Sequence, residues 1–62
     1  MTAQVRFVLI PKAAELTGLT RRAIELKIAR GQWREGLEWM KGPDGHRYID
    51  LRGYERWVES RA

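Results

Sequence analysis

Arg21, Arg22 and Arg30 share a ten-residue stretch with Glu25, Leu26 and Ala29, bounded by Gly18 and Gly31. At 100° per residue, Ile24 and Ile28 fall on one side of a helix, and Arg22, Glu25, Leu26, Ala29 and Arg30 fall on the other. Arginines offer forked donors that suit phosphate oxygens or guanine edges. A small alanine lets the backbone approach closely, and a leucine suits a thymine methyl or a neighbouring protein. Thr20, Arg21, Arg22, Glu25, Leu26, Ala29 and Arg30 are therefore candidate DNA-facing residues. A solvated amphipathic helix would carry similar charges. A second basic group, Lys41, His46 and Arg47, stands at the tip of a hairpin around Gly42-Pro43-Asp44-Gly45 and could lie along a phosphate backbone or enter a minor groove.

Other chemistries lack their parts. His46 is the one histidine and there is no cysteine, so a zinc site would have to be built from carboxylates alone, and no metal or cofactor is expected. Asp44 is explained by a turn and Asp50 by a helix cap. No serine has a base available, no glycine-rich phosphate loop opens a helix, and so short a chain rarely builds a water-excluding pocket for His46 to act in. The chain does not read as an enzyme. No apolar run approaches the roughly 20 residues of a membrane span, and no signal peptide is evident, which favours a soluble, cytoplasmic protein.

The elements that must position these residues follow from local signals. The 62 residues suffice for one domain, 1–62, whose small core would draw on three Trp, two Tyr and one Phe. Val5 to Leu9 reads as a short strand. Pro11 suits the first turn of a helix ending near Thr17, although Ile10 before it offers no capping oxygen. Gly18 allows the left-handed conformation that ends this helix, Leu19 plugs the interhelical angle, and Thr20 caps the second helix. This is a helix-turn-helix. Ala14 is expected at the contact between the two helices.

After Gly31, a loop from Gln32 to Leu37 would dock Trp33 and Leu37 on the core, with a partner-binding role for Trp33 as the alternative. Glu38 to Lys41 and His46 to Asp50 form a hairpin around Gly42-Pro43-Asp44-Gly45, the pattern of a type I turn followed by a G1 bulge. Asp50 caps a last helix running from Leu51 to about Arg61, with Leu51, Tyr54, Trp57 and Val58 facing inward. Arg52, Glu55, Arg56, Glu59 and Arg61 make its outer side, solvated or available to a protein. The fold class is α+β, a small winged helix-turn-helix with a short N-terminal strand, a two-stranded hairpin wing and a C-terminal helix. Net charge is +4, and its distribution is uneven: residues 1–31 hold six Lys/Arg against two Glu, whereas residues 32–62 hold six against six acids. The excess lies with the helix-turn-helix and favours a polyanionic partner.

Taken together, the run from Ala13 to Ile24, Lys27 to Trp33, Gly36-Leu37-Glu38-Trp39, Gly42 to Arg47 and Tyr54-Glu55-Arg56-Trp57 resembles the small phage and prophage excisionases. More broadly it looks like the winged-helix DNA-binding domains shared with MerR-type regulators. The resemblance implies an architectural factor that binds repeated sites beside an attachment site, bends the DNA and directs phage integrase towards excision. It further implies the Arg21–Arg30 helix in the major groove, the Lys41–Arg47 wing in an adjacent minor groove, self-association on tandem sites, contact with integrase, and a place in the host cytoplasm at the nucleoid. A small transcriptional regulator of a phage operon would use the same surface on inverted half-sites. A protein-interaction module would instead use Trp33, Leu26 and the last helix.

Overall fold

The computed structural model describes residues 6–60. The elements run β1 (Phe7–Leu9), α1 (Ile10–Thr17), α2 (Arg21–Ala29), β2 (Trp39–Lys41), β3 (Arg47–Asp50) and α3 (Leu51–Glu59). This is a small α+β fold compatible with a small winged helix. Val5, expected to open the first strand, and Arg61, expected to end the last helix, lie outside the described residues.

Local chemistry accounts for the helix ends. Leu9 occupies the cap position of α1 without a side-chain hydrogen bond, and Pro11 stands in the first turn. Ile10 is thus the first helical residue rather than the one preceding the helix. Gly18, with φ 83°, closes α1 and donates its N–H to the Ala14 carbonyl at 2.9 Å. Thr17 links helix and turn, since its hydroxyl donates to the Ala13 carbonyl at 2.7 Å and accepts from the Leu19 amide at 3.2 Å. The Thr20 hydroxyl then accepts from the Ala23 amide at 3.0 Å, as expected of the cap of α2.

The hairpin is not a separate two-stranded ribbon. All three strands form one antiparallel sheet in the order β1-β3-β2, with β3 in the centre. Val8 pairs with Ile49, and Ile49 pairs with Trp39, which aligns three core-facing residues across the sheet. The core lies against this face: Val8, Ala13, Ile24, Trp33 and Ile49 are buried, with Leu19, Ile28, Leu51, Tyr54 and Trp57 among those packed around them. Trp33 meets Tyr54 and Trp57 edge-on at centroid distances of 6.0 and 5.6 Å, joining the loop after α2 to α3. The Trp39 indole N–H donates to the Trp33 carbonyl at 3.1 Å, which fixes the same loop to β2.

Ala14 packs half-buried against the core, beside the completely buried Ala13 of α1. Other inward assignments need correction. Leu37, Val58 and Phe7 are exposed. Leu37 contributes its backbone to packing in place of its side chain: a Cβ placed on Gly53 of α3 would collide with the Leu37 carbonyl. Phe7 shares the outer face of the sheet with Leu9, because side chains alternate along the strand.

Candidate nucleic-acid interface

The helix-turn-helix presents α2 with Ile24 buried and Ile28 half-buried beneath it. Arg21, Arg22, Glu25, Ala29 and Arg30 are exposed, as is Thr20, while Leu26 is half-buried. Around the helix axis the sequence orders them from Arg21 through Glu25, Ala29, Arg22 and Leu26 to Arg30, a continuous outer arc. Lys27 lies outside that arc, with its Nζ 4.9 Å from the Trp57 ring centroid, so this cation contributes to packing between α2 and α3.

Arg21 and Glu25 on one border of the arc meet the hairpin. They line a groove of about 460 Å³ with Gly45, His46 and Arg47, and Leu9, Ile10 and Pro11 complete it. Four of the predicted residues, Arg21, Glu25, His46 and Arg47, are therefore brought together although more than 20 positions separate the two pairs. The β1–α1 junction that completes the groove bears no mark of a site in the sequence. Its residues carry no polar signal, and their position depends on β1 pairing with β3. Lys41 lies across from Arg47 in the strand register, and their positions on the sheet alternate with the outward Tyr48 and Met40. Lys41 and Arg47 thus form a basic flank of the wing rather than its tip.

The tip is organised by an acid. Gly45 donates to the Gly42 carbonyl at 3.0 Å and Gly42 donates to the His46 carbonyl at 2.8 Å; with Gly45 at φ 86°, this is the expected turn and bulge. Asp44 accepts from the Tyr48 hydroxyl at 2.7 Å and from the His46 amide at 3.0 Å. These bonds, the Tyr48 one foremost, hold the Asp44 carboxyl below its ordinary pKa and raise that of Tyr48. His46 Nδ1 is 3.4 Å from the same carboxylate, so its positive charge when protonated is partly offset. Arg47 stands 5.7 Å from the Trp39 ring centroid, which restrains the guanidinium on the flank.

Among the described residues, Arg21, Arg22, Arg30, Lys41 and Arg47 form no ion pair with a carboxylate. The arc and the flank thus carry a net positive charge, with Glu25 as the one acid of the arc, which suits a polyanion. No group of three His, Cys, Asp or Glu side chains comes together to hold a metal ion, and no helix is long and apolar enough to cross a membrane, both among the described residues.

No curated relative and no solved structure matches the chain. A family model does: residues 4–62, nearly the whole sequence, match the model described as "Putative excisionase (DUF1233)", and the chain belongs to that family.

Proposed function

We propose that the chain is an architectural DNA-binding protein that acts beside a phage attachment site, bends the duplex and directs integrase towards prophage excision. A recombination-related DNA-binding role follows from the family. The observation that carries the finer reading is the groove where Arg21 and Glu25 of α2 face His46 and Arg47 of the hairpin. A phosphate backbone held by Arg21, His46 and Arg47 at that groove would place α2, with Glu25, in the major groove and the basic flank of the wing along the adjoining minor groove. Arg21, Arg22, Arg30 and Lys41 would supply sequence-independent attraction, and Arg22, Glu25 and Leu26 would meet base edges. The protein performs no bond chemistry in this reading. It changes which arrangement of sites the integrase can join by altering DNA geometry, with protomers associating head-to-tail on tandem sites.

The test is a gel-shift titration of attachment-site arm DNA against a random duplex of equal length at two salt concentrations, with a circular-permutation assay for bending. Stepwise, preferential shifts on arm DNA and position-dependent mobility are expected. Equal binding to both duplexes that vanishes with salt would reduce the protein to a generic basic domain. A footprint on inverted half-sites would favour operator binding and transcriptional regulation instead.

A further inference from the structure

Glu25 is the one carboxylate of α2 and stands in an arc whose other charged side chains are arginines. It is exposed, and among the described residues it forms no ion pair, although Arg21 precedes it by four positions, a spacing that permits one. It also does nothing evident for the helix: it lies beyond the first turn, where an acid would complement the helix dipole, and the cap of α2 is supplied by Thr20. An unneutralised carboxylate on a surface that faces phosphates weakens binding to every duplex. The loss is offset only where the carboxylate meets a hydrogen-bond donor on a base.

Major-groove donors are the amino groups of cytosine and adenine. A carboxylate has acceptors alone, so it cannot use the adenine edge in the two-pronged manner of an amide, and it is repelled by the acceptor edge of guanine. Cytosine fits it best. Resting on the DNA-binding reading above, we infer that Glu25 is a specificity-determining residue that accepts a hydrogen bond from a cytosine amino group and lowers affinity for duplexes lacking cytosine at that position. Arg21, one turn earlier, and Arg47 across the groove hold the backbone in register while Glu25 reads the base.

The experiment is selection from a randomised duplex pool with the full chain, Glu25→Ala and Glu25→Gln, followed by titration of each protein on its selected site and on a random duplex. Circular dichroism checks that the variants are folded. The wild type should select cytosine at one position. Glu25→Ala should lose that preference, bind the random duplex more tightly and lower the selected-to-random ratio about tenfold, within the range of one base contact. Glu25→Gln should shift the preference at that position towards adenine, whose edge matches an amide. Unchanged selection by both variants, or an equal loss of affinity on both duplexes, would overturn the role of Glu25. Failure of the wild type to bind any duplex would instead overturn the DNA-binding reading, and this inference with it.

Discussion

Asp50 joins three parts of the fold through one buried carboxylate. It ends β3, accepts from the Arg52 amide at 3.0 Å to cap α3, and takes a forked contact from Arg6, with Nε at 3.2 Å and Nη2 at 3.1 Å. Burial pushes its carboxyl pKa upward, but the Arg6 hydrogen bond, the backbone bonds from Gly53 and Arg52, and the charge of Arg6 outweigh this and hold it below its ordinary value. A carboxylate with a lowered folded pKa contributes stability that is complete above the unfolded value of about 3.9 and is lost as pH falls through the folded one. Stability should therefore decline below about pH 4, with Asp44 contributing in the same direction. Asp50→Asn keeps a capping oxygen and should flatten that decline. Asp50→Ala also removes the cap and should cost about 1–2 kcal/mol at neutral pH. Urea titrations across pH 2–7 would show both. Gly53 supplies an opposite lesson about propensity. Alanine is favoured over glycine within helices by about 1 kcal/mol, yet Gly53→Ala should lower Tm, because its methyl would strike the Leu37 carbonyl. A raised Tm would show that the loop carrying Leu37 yields at little cost.

At the scale of elements, the helix-turn-helix and the hairpin were legible because their instructions are local. Gly18 and Thr20 end one helix and begin the next within three positions, and Pro43-Asp44-Gly45 determines a turn within four. What escaped the sequence was long-range. Nothing within Phe7–Leu9 says that it pairs with β3, so neither the three-stranded sheet nor the groove completed by Leu9, Ile10 and Pro11 could be read from the helical period or the turn residues. Ala13 and Ala14 are equally small neighbours, so which of them is fully buried depends on the orientation of the helix. The apolarity of Leu37 and Val58 predicts them inward, but a chain of this size leaves apolar side chains outside its core. The two sides of the groove make the proposed DNA interface separately testable. Arg21→Ala with Arg22→Ala should weaken binding and reduce the salt slope by about 1 for each arginine that touches phosphate. If affinity and slope on the arm duplex are unchanged, α2 is not the binding element. Gly45→Ala strains a residue at φ 86° and should disturb the wing selectively, reducing duplex affinity more than it reduces Tm.

For the molecule as a whole, the decisive quantity is how few side chains hold it together. Among the described residues, Trp33, Ile24 and Ile49 are the largest fully buried side chains, and Trp33 connects the end of α2, the loop, β2 and α3. Its amide also donates to the Lys27 carbonyl at 3.1 Å, which anchors the loop to the end of the helix that carries the candidate interface. A domain of this length has a total stability of roughly 3–9 kcal/mol, and truncating a buried tryptophan costs about 3–5 kcal/mol. Trp33→Ala should thus lose much of that stability, and its cooperative melt in far-UV circular dichroism should shift to a much lower temperature. Trp33→Phe keeps an aromatic edge against Tyr54 and Trp57 and removes an indole N–H that has no partner among the described residues, so it should melt cooperatively at a Tm between those of Trp33→Ala and the wild type. Because a ligand that binds only the folded state adds about 2.7 kcal/mol at a hundredfold excess over its Kd, the arm duplex should raise the Tm of Trp33→Phe. A random duplex should raise it less. Equal shifts from both duplexes would show that folding is linked to charge alone and not to recognition of a site.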